Sequence, residues 1–350
     1  MSRFLSDNLK GMIPYVPGEQ PKITEYIKLN TNESPFPPSP YALRLARQAA
    51  GDNNLYPDPE CKALVNVACE RFGVEPENII FTNSSDETLN FAFYCFCDKN
   101  TGAAFPDITY GFYKVFADLY GIDCKQIPLK EDFSIDPDDY IGLGRTVFIA
   151  NPNAPTGILL SLANIEKIVK GNSGNVVVID EAYIDFGGES AIELTKKYDN
   201  LLVVRTFSKS RSLAGGRLGF AIGSKELISD LNTLKYSTNP YSVNRMTMAA
   251  GQGALLDEEY FASCTKTIIE NRIYTVNRLK EFGFTLTESV ANFVFAKSDR
   301  IGGKELYTAL KEKGILVRHF DTPRLKDYVR ITIGSIDQMN ALLKAIGEIL

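Results

Sequence analysis

Histidine is almost missing from this 350-residue sequence: His319 is the only one. That excludes an HExxH zinc site, a zinc finger and a Ser-His-Asp triad built from this chain alone. No metal site is expected, and a general base must come from Lys, Asp, Glu, Tyr or Cys. The six cysteines (Cys61, Cys69, Cys95, Cys97, Cys124, Cys264) form no C-x-x-C pair. They lie mostly in apolar segments and read as buried thiols of a reducing cytoplasm. No apolar run is long enough to span a bilayer, and the opening Met1-Ser2-Arg3-Phe4-Leu5-Ser6-Asp7-Asn8 is polar. Neither a membrane span nor a signal peptide is therefore expected. Positive charge is not in excess: the formal net charge of -5 leaves no electrostatic footprint for nucleic acid or an anionic membrane. Two nucleotide signatures are also absent. Val176-Val177-Val178-Ile179-Asp180-Glu181 is like the metal-binding strand of P-loop ATPases, but no G-x-x-x-x-G-K-[ST] accompanies it. No G-x-G-x-x-G follows a strand either.

What remains is an ordinary globular composition, 44% hydrophobic and 23% charged, on a chain long enough for a large domain with a smaller one attached. Residues 1–40 carry Pro14, Pro17, Pro21, Pro35, Pro37, Pro38 and Pro40, which favour an extended arm over a helix. Such an arm stays ordered by lying on its own body or on a partner. From residue 79 to residue 222, short apolar strands alternate with helical stretches. This predicts a mostly parallel α/β sheet with polar motifs at the strands' C-terminal ends. Residues 225–285 read as helix with a break near Thr238-Asn239-Pro240-Tyr241. Beyond them, strands at 284–287, 293–296, 316–318 and 328–333 alternate with helices, an α+β pattern. The division expected is residues 1–40 as arm and part of the small domain, 41–245 as the large domain, and 246–350 as the small C-terminal domain.

The stretch that organises the rest is Thr206-Phe207-Ser208-Lys209-Ser210-Arg211-Ser212-Leu213-Ala214-Gly215-Gly216-Arg217, which follows the apolar run Leu201–Val204. A lysine just past a buried strand can be a nucleophilic amine whose pKa is lowered by desolvation and cationic neighbours. Thr206, Ser208 and Arg217 supply phosphate ligands beside it. An amine that reacts with an aldehyde while its neighbours hold a phosphate describes a pyridoxal phosphate site; an ordinary basic loop is the alternative. A second anion site is suggested where the strand Ile79-Ile80-Phe81 runs through Thr82-Asn83-Ser84-Ser85-Asp86-Glu87-Thr88 into a helix. A plain N-cap by Ser84 or Ser85 reads the same residues equally well.

Taken together, the motifs resemble fold-type-I pyridoxal-phosphate aminotransferases, and within them the histidinol-phosphate aminotransferase branch. The marks are Leu29-Asn30-x-Asn32-Glu33, Tyr56-Pro57-Asp58, Ser85-Asp86-Glu87, Thr109-Tyr110-Gly111, Pro155-Thr156-Gly157, Asp180-Glu181-Ala182-Tyr183 and Ser208-Lys209-x7-Arg217, in that order. The resemblance runs from about Ile13 to Gly334. It implies a large domain with a mostly parallel sheet sandwiched by helices, plus a smaller α+β domain. It implies that Lys209 binds the cofactor covalently and shuttles the substrate proton, that Asp180 pairs with the pyridine nitrogen, and that Tyr183 donates to the phenolic oxygen. Tyr110 would stack on the ring. Ser85, Asp86, Thr206, Ser208 and Arg217 would hold the phosphate, joined by Tyr56 from the second subunit of a homodimer. Tyr15, Asn32, Arg318 and Arg330 would face the substrate, although on their own the two arginines read as strand-end charges. The sequence departs from the family where Ala154 replaces an asparagine before Pro-Thr-Gly, so Asn153 is the amide expected to serve instead. Ser84 stands where glycine is common. The implied reaction is transfer of the amino group of L-histidinol phosphate to 2-oxoglutarate in the cytoplasm. Decarboxylation of O-phosphothreonine and aromatic amino-acid transamination remain as alternatives.

Overall fold

In the computed structural model, which describes residues 2–6, 9–20 and 26–350, thirteen strands build three sheets. In chain order they are β1 (Ile27–Lys28), β2 (Ile79–Asn83), β3 (Ala103–Pro106), β4 (Cys124–Ile127), β5 (Thr146–Ala150), β6 (Val177–Asp180), β7 (Leu201–Thr206), β8 (Leu218–Ile222), β9 (Phe284–Leu286), β10 (Phe293–Ser298), β11 (Ile315–Leu316), β12 (Arg318–His319) and β13 (Tyr328–Thr332). The large sheet has the order β2-β8-β7-β6-β5-β3-β4. Its strands β7, β6, β5, β3 and β4 run parallel, and β8 runs antiparallel to both its neighbours.

The continuous Val/Ile/Leu runs of β5, β6 and β7 have a direct cause in this arrangement. Alternate residues point to opposite faces, and both faces are covered by helices. Val147, Ile149, Val177, Ile179, Leu201 and Val203 enter one core, while Phe148, Val178, Leu202 and Val204 enter the other. All ten are fully buried. Burying each aliphatic side chain contributes about 1.5–3 kcal/mol, so a charge placed at Val178 would break the sheet at its centre. The flanking helices begin where the sequence supplies side-chain acceptors. Ser39, Ser161, Ser224, Asn244 and Ser335 each accept a backbone N–H of the first turn.

A second sheet, β12-β13-β10-β9, is antiparallel throughout and packs with the helices Gly303–Glu312 and Ile336–Ile349 around a separate core. The N-terminal segment joins it: β1 pairs in parallel with β11, and Leu29 is buried in that core. The strand expected at 316–318 is two strands, because the chain leaves the β1 pair at Val317 and continues as β12 beside β13. The helix Arg245–Leu256 sends Ala250, Ala254 and Leu255 into the core of the large sheet alongside Ala42. Met1, Asp7, Asn8 and residues 21–25, with Pro21 of the expected arm, lie outside the described residues. In the described part of the arm, Phe4, Ile13 and Val16 are exposed. Of the cysteines, Cys61, Cys97 and Cys264 are buried and the other three partly so; none is in a disulfide. Among the described residues no helix is long and apolar enough to cross a membrane, and no cluster of potential metal ligands occurs.

Candidate active site

The C-terminal ends of β5, β6 and β7 bring Ala150 and Asp180 side by side, with Thr206 two residues past Val204, the β7 partner of Asp180, which is where open α/β sheets form their ligand crevices. A cavity of about 360 Å3 opens there, walled by Ser84, Ser85, Asp86, Tyr110, Asp180, Tyr183, Thr206, Ser208, Lys209 and Arg217. Nine of these ten were expected from the sequence, drawn from four separate segments of the chain.

Each wall has a local cause. Asp180 is the last residue of β6 and is buried, so its carboxylate cannot turn to solvent. The Tyr113 hydroxyl donates to its Oδ2 over 3.1 Å, while Oδ1 has no protein partner. Burial pushes the Asp180 carboxyl up to about 7; the Tyr113 hydrogen bond opposes this, and the Asp86 and Glu181 charges add to it. A buried carboxylate with an unpartnered oxygen on a cavity is the acceptor that a protonated ring nitrogen requires. The phosphate end is formed where β2 turns into the helix Ser84–Phe96. Ser84 takes a left-handed φ of 70°, and Asn83, the N-cap, makes no side-chain capping bond. Neither serine therefore caps this helix through its side chain, contrary to the plain N-cap alternative; the Ser84 N–H donates to the Arg217 carbonyl over 3.0 Å, and an anion at this helix start would meet the backbone at Ser85 and Asp86. Gly219 of β8 allows the close approach: a Cβ there would lie 2.2 Å from the Ser85 nitrogen. Arg217 donates to Asp86 over 2.8 Å across this end. Thr206 and Ser208, both buried, share a hydrogen bond of 3.1 Å.

Lys209 extends between this cavity and a second one of about 710 Å3. Its Nζ donates to the Thr31 carbonyl over 3.1 Å and sits 5.7 Å from the centroid of the Tyr183 ring. It makes no ion pair among the described residues. Tyr110 lines both cavities and donates to Asp86 over 2.7 Å. Burial, reinforced by the Asp86 charge, holds its phenol well above the ordinary value, so it stays protonated.

The second cavity collects Tyr15, Asn32, Arg318 and Arg330, the four residues expected to face substrate. Arg330 is held over Phe293 and Phe320, donates to the Asn30 carbonyl over 3.0 Å, and leaves its buried Nε without a partner. Burial lowers its pKa; Tyr183 opposes the shift and the like charge of Arg318 adds to it. Tyr15 reaches the cavity by stacking on Phe112, with ring centroids 4.2 Å apart.

Three expected residues stand differently. Asn153 lines neither cavity: its amide donates to the Ile108 carbonyl and Thr156 Oγ1 and accepts from Thr109 Oγ1. With that side chain spent on the loop, Ala154 is the residue facing both cavities. Asn32 lines the second cavity, but its amide is committed to Tyr183 and Thr332. Tyr56 is 80% exposed, stacks on Tyr241, and lines neither cavity of its own chain. The residues that sequence reasoning passed over are Tyr113, Thr332 and the Thr31 carbonyl. Their contacts span 67, 300 and 178 residues, and no local pattern signals them. His319 lines neither cavity.

A reactive amine at a strand end, an acidic partner for a ring nitrogen and an anion-binding turn on this sheet define an enzyme that uses pyridoxal phosphate. The chain belongs to the aminotransferase class I and II family, whose model matches residues 24–346. Over its full length the chain is 49% identical to the histidinol-phosphate aminotransferase of Brachyspira hyodysenteriae, covering 99% of that protein. It is therefore a pyridoxal-phosphate-dependent aminotransferase. The fold matches the structure of histidinol-phosphate aminotransferase from Sinorhizobium meliloti in complex with pyridoxal-5'-phosphate, with a TM-score of 0.87 at 22% identity, covering 100% of this chain and 99% of that one. It also matches L-threonine-O-3-phosphate decarboxylase from Porphyromonas gingivalis, with a TM-score of 0.81 at 20% identity, covering 92% of this chain and 99% of that one. The fold by itself thus does not separate transamination from decarboxylation.

Proposed function

We propose that the chain transfers the amino group of L-histidinol phosphate to 2-oxoglutarate, giving imidazole acetol phosphate and glutamate in histidine biosynthesis. The observation that carries this reading is the join at Lys209. A cavity suited to the cofactor opens there into a second one walled by Arg318 and Arg330. Histidinol phosphate carries a phosphate and no carboxylate, whereas glutamate carries two carboxylates. Guanidinium forks ligate either anion. The full-length identity to a histidinol-phosphate aminotransferase supports transamination over decarboxylation.

When bound, pyridoxal phosphate supplies the electron sink that makes the donor's Cα–H acidic. Lys209 Nζ anchors the cofactor and moves the proton taken from that Cα. Asp180, steadied by Tyr113, accepts the ring N–H. Tyr183 Oη donates to the phenolic oxygen, and Tyr110 covers the ring. Arg217, Thr206, Ser208 and the backbone at Ser85 and Asp86 hold the phosphate.

The assembly belongs to the same reading: a cytoplasmic homodimer in which Tyr56, exposed in its own chain, reaches the partner's phosphate site. In this reading the boundary between the two bodies of each chain is best drawn after Leu256, because the helix Arg245–Leu256 packs with the large sheet. Borohydride treatment of the yellow protein tests the site, and should fix cofactor to a Lys209 peptide. Glutamate formation from 2-oxoglutarate, with histidinol phosphate as sole donor, tests the reaction.

A further inference from the structure

Tyr183 carries the hydroxyl of the cofactor cavity assigned to the cofactor's phenolic oxygen. Ala154, which faces both cavities, has no polar atom, and the Asn153 amide is fully spent on Ile108, Thr156 and Thr109. A phenol has a single hydrogen. Whether it points into the cavity depends on what else the oxygen meets.

The structure answers through Asn32. Its Nδ2 donates to Tyr183 Oη over 2.9 Å, which fills an acceptor position on the phenol and leaves the phenol's hydrogen free. Thr332 supports that amide in this orientation. The Asn32 backbone N–H donates to Thr332 Oγ1 over 2.9 Å, and Thr332 Oγ1 lies 3.1 Å from Asn32 Oδ1. Thr332 Oγ1 accepts that N–H and places its own hydrogen on Oδ1, an arrangement in which Nδ2 faces Tyr183. With the amide reversed, Tyr183 would donate to Asn32 and be lost to the cavity. Asn32 is 1% exposed, holds a left-handed φ of 57°, and its carbonyl accepts from Asn292 Nδ2 over 3.0 Å. Asparagine tolerates that conformation better than most residues. The contact therefore joins the β13 end of the small sheet to the cofactor wall.

We propose that Asn32 is the positioning residue that turns the Tyr183 hydroxyl hydrogen into the cofactor cavity, with Thr332 fixing the direction of the Asn32 amide. The proposal rests on the pyridoxal-phosphate reading of the cavity and on no choice of amino donor. A donor aimed at the negative phenolic oxygen stabilises the deprotonated resting form, so losing it raises the pH at which the bound cofactor titrates. The charged and titratable groups around Tyr183 are Lys209, Arg330, Tyr15 and Tyr113, and none is altered in the variants below.

The test is a pH titration of the cofactor's visible absorbance in the purified holoenzyme, which needs no substrate. Asn32→Ala should raise the midpoint by about 1 pH unit, the scale of one hydrogen bond to a charged group. Thr332→Val, a near-isosteric change, should move it the same way by less. Tyr183→Phe should raise it at least as far, and adding Asn32→Ala to Tyr183→Phe should add nothing further. A purely structural role for Asn32 would lower cofactor content or melting temperature and leave the midpoint in place, which would overturn the proposal. An equal shift from Asn32→Ala with and without Tyr183 would also overturn it, since the two would then act independently. A midpoint unmoved by Tyr183→Phe would overturn both this proposal and the Tyr183 assignment.

Discussion

Arg318 stands directly opposite Arg330 across the antiparallel β12–β13 pair, so two like charges face one cavity. Opposed like charges destabilise a sheet, and Arg330 is half-buried with its Nε enclosed and unpartnered. The arrangement costs stability unless an anion sits between the forks, which is the signature of a binding site and not of strand-end charges. Truncating Arg330 to Ala should weaken the productive binding of both histidinol phosphate and glutamate, each by roughly 2–5 kcal/mol. Steady-state kinetics on each half-reaction checks this. The same substitution should leave cofactor content unchanged, because Arg330 does not line the first cavity.

Asp180 predicts a pH dependence of stability. Its folded-state pKa is raised to about 7 by burial, above an ordinary carboxylate value of about 3.9. A raised carboxyl contributes stability that is fully present below the unfolded value and is lost as pH rises through the folded one. The cofactor-free protein should therefore lose stability between about pH 4 and 7. Glu181, also raised to about 7, shares that window. Asp180→Asn should flatten the melting curve of the cofactor-free protein against pH by a few degrees. In the wild type the gap in melting temperature between cofactor-bound and cofactor-free protein should widen as pH rises. Parallel curves would remove Asp180 as the partner of the ring nitrogen.

Ala154→Asn places an amide where the cavity now has a methyl group. Because Asn153 is fully hydrogen-bonded within its own loop, it does not already fill that role. The titration midpoint of the bound cofactor should fall in this variant, opposite in sign to the effect of Asn32→Ala. An unchanged midpoint would mean that the Tyr183 hydroxyl already saturates the oxygen.

Much of this site was legible in the sequence because strand ends were. Val177–Ile179 and Leu201–Val204 are apolar runs followed by polar residues, Asp180 in one case and Arg205 and Thr206 in the other, and in a parallel sheet both ends fall on one edge. That placed Lys209 and Asp180 at the crevice edge; their roles came from the resemblance carried by the other motifs. What could not be read is the set of contacts between the N-terminal segment and the rest. Asn32 was expected to face the substrate because the family resemblance implied it, while its polar motif alone read equally as a loop. Its amide is taken up by Tyr183 and Thr332, 151 and 300 residues away, and only tertiary packing places them there. The opposition of Arg318 and Arg330 was hidden for a similar reason: it depends on the strand register and on the chain changing sheets at Val317.

Tyr56 carries the prediction about assembly. Its ring is exposed, stacked on Tyr241 with centroids 4.8 Å apart, and Arg245 donates to its carbonyl, so the loop is held in place with its aromatic face presented outward. Mixing a Tyr56→Phe protein with a Lys209→Ala protein should form heterodimers in which one site keeps both residues. Activity well above the sum of the parents is expected. Activity equal to that sum would place the whole site within one chain.

The most direct test of the central claim is kcat/KM for four amino compounds, histidinol phosphate, histidinol, phenylalanine and O-phosphothreonine, under the same conditions with 2-oxoglutarate as acceptor. Histidinol phosphate should be preferred, glutamate should form in step with the keto product, and removing the donor's phosphate should cost most of the rate. Efficient use of phenylalanine, with no gain from a phosphate, would contradict the account. Release of carbon dioxide from O-phosphothreonine with 2-oxoglutarate untouched would contradict it equally.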